Sequence, residues 1–148
     1  MVFGSRARFN RAMTDTQSIA LSDISATLHL GVSVEERARA QTVMVTVAIR
    51  LSDPPAYTGG PLLTDTVDYD EIIHYIRDAL PNEGEVVLVE TIADRVAAHC
   101  LALSPRIIDA EVTVKKPSVL TAPGMVSVTI RRAADPALRR QHLHVAGE

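Results

Sequence analysis

Both lysines of the chain stand side by side in one short stretch, Glu111 to Pro117, which reads E-V-T-V-K-K-P. Apart from the histidines, every other cationic side chain is arginine. Period-two alternation puts Ile108, Ala110, Val112, Val114 and Lys116 on one face of a strand, with the Lys116 ammonium at the rim of an apolar core. Desolvation there lowers a lysine's pKa and suits it to proton transfer. The same pattern describes an edge strand whose lysine discourages aggregation and lays its stem along apolar surface. The stretch by itself supports both readings equally. Pro117, with no N–H to donate, is predicted to end the pairing.

Glu36, Tyr69 and Glu90 are the other candidates for chemistry. Glu90 opens a predicted helix, where the helix dipole alone would favour a carboxylate. It also follows V-V-L-V (Val86 to Val89), predicted to be buried. An unpaired carboxylate is costly in such surroundings, so Glu90 is expected to have a partner. Tyr69 directly follows T-D-T-V-D (Thr64 to Asp68) at a helix start; the plain alternative is amphipathic packing with its hydroxyl at the surface. Glu36 lies in E-E-R-A-R-A (Glu35 to Ala40), a predicted single helical turn in which Glu35 reads as solvated.

The elements that must position these groups follow from periodicity. Ile19, Leu21, Ile24, Ala26, Leu28 and Leu30 alternate with a slip between Leu21 and Ile24 that predicts a bulge, and Gly31 closes that strand. In Thr42 to Ser52, Val43, Val45, Val47, Ile49 and Leu51 take one face; Met44, Thr46, Ala48 and Arg50 take the other. This second face is too apolar to leave in water. A helix is predicted from Thr64 to Leu80, with Asp68 as N-cap, Glu71 completing a capping box, and Ile72, Ile73, Ile76 and Leu80 buried. A second helix runs from Val89 to Leu103 with Ile92, Val96, Cys100 and Leu103 on one side, which makes Cys100 a core thiol. Strands from Ile107 and over Met125 to Arg132 complete the order strand, strand, helix, helix, strand, strand. That order is an α+β layer: four antiparallel strands with both helices on one face. Its uncovered face and two edges are resolved by closing sheets from several subunits into a barrel.

Bulk properties bound the function. At 148 residues and 47% hydrophobic content the chain supports one domain with a sizeable core. We expect residues 1–17 to be a disordered leader, 18–132 the folded domain and 133–148 an Arg-rich polar tail. A net charge of −3 and 3% aromatic content leave neither a basic footprint nor stacking platforms for nucleic acid. No apolar run approaches membrane-spanning length. The single cysteine suits a reducing compartment, so a cytoplasmic location is expected. No metal site is expected. His29, His74, His99, His142 and His144 include one H-x-H pair, in the tail, and zinc needs three or four converging ligands. Asp70 and His74 are expected to form a surface pair. No G-x-S-x-G occurs.

G-V-x-x-x-E at Gly31 to Glu36, D-T-V-D-Y at Asp65 to Tyr69, V-E-T at Val89 to Thr91, K-P at Lys116–Pro117 and V-S-V-T-I-R at Val126 to Arg131 together resemble the dihydroneopterin aldolase family. The resemblance covers residues 18 to 132 in the family's order and spacing. It implies the T-fold, a ββααββ unit that assembles into an oligomeric barrel, a tetramer or octamer with pockets between subunits. It implies cleavage of 7,8-dihydroneopterin without metal, cofactor or Schiff base. By position, Glu90 would grip the pterin with Val89, while Thr66, Val67 and Asp68 would line the pocket from the neighbouring subunit. Lys116 and Tyr69 would move protons, and Glu36 would help hold the catalytic pocket. Leu30 stands where many members carry a histidine. The related dihydroneopterin triphosphate epimerases lack it too, so the resemblance extends to epimerisation, or to a non-catalytic pterin- or purine-binding assembly protein.

Overall fold

The computed structural model describes residues 15–118 and 124–137. The expected leader up to residue 14, and the tail from residue 138 with His142 and His144, lie outside the described residues. The chain forms strands β1 (Thr16–His29), β2 (Ala40–Ser52), β3 (Ile107–Ser118) and β4 (Gly124–Ala133), antiparallel in the order β1-β2-β3-β4. Helix α1 (Val34–Arg37) joins β1 to β2. Helices α2 (Tyr69–His74) and α3 (Val89–Leu103) fall between β2 and β3. β1 thus begins two residues ahead of the expected domain start, where Thr16 pairs with Ser52.

Alternation decides the sheet. Val43, Val45, Val47, Ile49 and Leu51 are at most 1% exposed and form one layer of the core with Ala110, Val112 and Val114. Ile72, Ile76 and Leu80, and Ile92, Val96 and Cys100, close it from the helices. Burial pushes the Cys100 thiol up to about 12, consistent with a packing role. The predicted bulge lies between Leu21 and Ile24. Asp23 there takes φ 55° and donates its N–H to Thr46 Oγ1 at 3.1 Å.

Several local expectations are corrected. Ile108 is only half-buried, because a register irregularity beside Arg50 brings Ile107 opposite Leu51 and into the core. Pro117 does not end the pairing: β3 leaves β2 after Lys115 but still pairs with β4 at Pro117 and Ser118. There it has one neighbour only, so the missing N–H is tolerated, as at a sheet edge. The first helix is shorter at its start. Asp68 caps it by accepting from Asp70 N at 3.0 Å, but the box with Glu71 is absent. After His74 it widens into a π-helical turn, Tyr75–Ala79, then tightens at Leu80–Asn82. His74 pairs with Asp78 at 3.2 Å and not with Asp70.

The sheet therefore has two distinct ends. The end of β1, the starts of β2 and α3, and Lys116 gather at one end. The start of β1, the end of β2, the end of α3 and the start of β3 gather at the other.

Candidate active site

The site is built around a turn. Leaving β1, the chain reaches Gly31 at φ 153°, a conformation that side chains strain to adopt. A Cβ at Gly31 would collide with Glu36 Cβ and lie 2.8 Å from its Oε2. Glycine is what lets Glu36 fold back against the strand end. Ser33 then caps α1 by accepting from Glu36 N at 3.1 Å, in a complete capping box. The Ser33 hydroxyl donates to Glu36 Oε1 at 3.1 Å, which turns the other oxygen outward. That oxygen, Oε2, meets Lys116 Nζ at 3.1 Å, with the two side chains only 20% and 15% exposed. The Lys116 ammonium, then the Ser33 hydroxyl, hold the Glu36 carboxyl below its ordinary 4.5.

Glu90 is placed at the same end by backbone pairing. Gly31 N donates to Val86 O, and Val86 N donates to His29 O, both at 2.9 Å. These bonds anchor the segment that leads into α3 beside the Glu36 turn. The expectation of a buried, partnered Glu90 is corrected. Val86 is buried, but Val87 and Leu88 are 48% and 49% exposed, and Glu90 is exposed with them. Its carboxylate has no hydrogen bond or ion pair among the described residues. The apolar stretch before it faces open space, because only Val86 joins the sheet edge. Val32 and Val34, both 71% exposed, widen this apolar rim.

Tyr69 lies elsewhere. Thr66 accepts from Gln17 at 3.3 Å, and Asp65 O accepts from Arg106 at 2.5 Å, both at the far end of the sheet. Val67 is buried, and Thr66, Val67 and Asp68 line a cavity of about 280 Å³ with Leu103 and Ser104. Tyr69 follows at 51% exposure, and Leu62 and Leu63, earlier in the same segment, are exposed at 67% and 64%. Between Ile107 and Lys116, β3 climbs about 30 Å at roughly 3.3 Å per residue. One chain therefore brings together Glu36, Lys116 and the Glu90 helix start, and leaves Thr66, Val67, Asp68 and Tyr69 at its opposite end.

Sequence reasoning missed Ser33, although S-x-x-E before a helical turn is a capping-box pattern. Among the described residues no group of three or more His, Cys, Asp or Glu is placed to hold a metal, and no helix is long and apolar enough to cross a membrane.

The family model FolB, dihydroneopterin aldolase, matches residues 19–131. A dihydroneopterin aldolase from Streptomyces coelicolor is 36% identical over 118 residues, 78% of this chain and 96% of that protein. Among solved structures, E. coli dihydroneopterin aldolase in complex with neopterin superposes with a TM-score of 0.69 at 20% identity, covering 79% of this chain and 99% of that one. The Burkholderia thailendensis dihydroneopterin aldolase bound to guanine gives 0.65 at 23% identity, covering 84% and 96%. These likenesses bear out the four-stranded α+β T-fold expected from the sequence. The family match and the extent of the Streptomyces relative settle membership: the chain belongs to the dihydroneopterin aldolase family.

Proposed function

We propose that this chain cleaves 7,8-dihydroneopterin by a retro-aldol reaction to 6-hydroxymethyl-7,8-dihydropterin and glycolaldehyde, a step towards folate. The observation that carries the reading is the Glu36–Lys116 pair, set at the same end as a carboxylate, Glu90, that has no hydrogen bond or ion pair among the described residues. A pterin's 2-amino-4-oxo edge presents adjacent N–H donors, and the Glu90 carboxylate accepts both. The apolar rim of Val87 and Leu88 borders the pterin ring.

Cleavage removes the proton of the 2′-hydroxyl and breaks the C1′–C2′ bond. The electron pair enters the dihydropterin's own C=N system, so the reading needs neither a metal nor a lysine Schiff base. Lys116, fixed by Glu36, shuttles protons between the 2′-oxygen and N5, directly or through water. Tyr69 of a second copy delivers a proton to C1′ and completes the hydroxymethyl product.

Separation within one chain supports the reading of a second copy. Exposed Leu62, Leu63 and Tyr69 at one end complement the exposed Val32, Val34, Val87 and Leu88 at the other. Head-to-tail contact of two such ends is heterologous, and contacts of that kind build a ring where the rotation between copies closes. We infer a tetrameric ring or a pair of rings, with the half-buried Met44, Thr46, Ala48 and Arg50 face turned inward. Buried Cys100 is compatible with the cytoplasm as the working compartment.

Incubation of the purified protein with 7,8-dihydroneopterin tests the reaction. Stoichiometric glycolaldehyde is the expected product. An epimerised pterin without glycolaldehyde, or binding without turnover, would replace this reading with epimerisation or with a binding role.

A further inference from the structure

Gly31 uses every part of its peptide unit. Its N–H goes to Val86 O at 2.9 Å, its Cα face receives Glu36, and its carbonyl accepts from Arg37 Nη1 at 2.9 Å. The same Arg37 nitrogen donates to Val32 O at 2.8 Å, and Arg37 Nε lies 3.5 Å from Glu85 Oε2. The Arg37 side chain is only 18% exposed, unusually covered for an arginine on a short surface helix. One guanidinium therefore ties the backbone on which Glu36 rests to the residue just before Val86, where the lead-in to Glu90 is anchored.

We infer that Arg37 is a positioning residue: it fixes the Glu36–Lys116 pair relative to the Glu90 helix start, and so sets the distance between proton transfer and pterin grip. This inference rests on the aldolase reading above. Arg37 touches neither Glu36's carboxylate nor Lys116 and does no chemistry itself. It acts by holding the Gly31 and Val32 carbonyls, so the Gly31 backbone stays flush against both Glu36 and Val86. A planar fork reaches two carbonyls and a carboxylate together, which an ammonium on a flexible stem does not. Gln41 supports the same turn from β2, donating to Leu30 O and, at 3.1 Å, to Glu36 O. It reaches neither Gly31, Val32 nor Glu85, so among the described residues Arg37 adds a side-chain link between the two halves of the site to the backbone bonds of Gly31 and Val86.

The test separates positioning from general stabilisation by a mutant cycle. Arg37→Met keeps the apolar stem and removes the fork. In the otherwise wild-type enzyme, kcat should fall on the order of 10- to 100-fold, as for a misplacement of about 1 Å. Affinity for 6-hydroxymethyl-7,8-dihydropterin should stay within about threefold, since Glu90 itself is untouched. In a Glu36→Gln background the same substitution should cost less than about threefold more, because there is no longer a pair to position. Arg37→Lys, which retains charge and stem, should not restore kcat, and it runs the same cycle if Arg37→Met fails to fold. Equal losses in both backgrounds, or full rescue by lysine, overturn the inference alone. A wild-type protein that releases no glycolaldehyde overturns the aldolase reading and takes this inference with it.

Discussion

Glu36 Oε2 and Lys116 Nζ lie 3.1 Å apart although 80 residues separate them in the chain. The contact joins the first crossover of the fold to the end of its third strand, and neither residue can be moved without disturbing the other. It also argues against the gatekeeping alternative for the lysine stretch. A gatekeeping lysine keeps its ammonium in water, whereas this one is 15% exposed and partnered.

Lys116→Arg preserves the charge and the reach to Glu36 but does not readily give up a proton. Steady-state kinetics should show kcat reduced by about 10² to 10⁴, the span expected for a general acid–base group. Product affinity should be retained. A rate within about threefold of wild type would return Lys116 to a structural role.

The depressed Glu36 pKa fixes a sign for stability. A carboxyl held below its ordinary 4.5 stabilises the fold above that pH and loses its contribution as pH falls through the lower folded value. The melting-temperature gap between wild type and Glu36→Gln should hold steady down to about pH 5 and close in more acidic buffer. A gap that widens towards acid would show that the pair does not depress this carboxyl.

Gly31→Ala places a methyl group where Glu36 now packs, on backbone at φ 153°. Urea unfolding should reveal a loss of about 1–3 kcal/mol, as for overpacking elsewhere. Activity should fall further than stability explains, because Glu36 must retreat from Lys116. A stability change below about 0.5 kcal/mol would mean that the turn yields freely.

Glu90→Gln replaces an acceptor pair by one acceptor and one donor facing an N–H. Calorimetry with the hydroxymethyl product should show weaker binding by roughly 1–3 kcal/mol. Unchanged affinity would leave Glu90 as a helix-end charge.

Much of this was legible in the chain itself. The β2 alternation, the Leu21–Ile24 bulge and the bounds of α3 are written in local periodicity, and the structure follows them. What periodicity does not encode is the partner strand. Ile108 lost its core position to a register irregularity beside Arg50, and Pro117 stayed paired because β2 had already ended. The partner of Lys116 was equally hidden, since it depends on Gly31 folding Glu36 back across the sheet end. Glu90 was misjudged for a related reason. Its apolar neighbours belong to a surface that a single chain leaves open, and sequence does not distinguish that from burial within the subunit.

On the proposed reading, Tyr69 of one chain completes the Glu36–Lys116–Glu90 site of another. Tyr69→Phe and Lys116→Ala should each be nearly inactive as pure oligomers. Unfolded together, refolded as an equal mixture and checked for hybrid assembly, they should regain about a quarter of the wild-type rate, the share of interfaces that receive both intact residues on random mixing. Hybrid oligomers that stay as inactive as their parents would contradict the shared site.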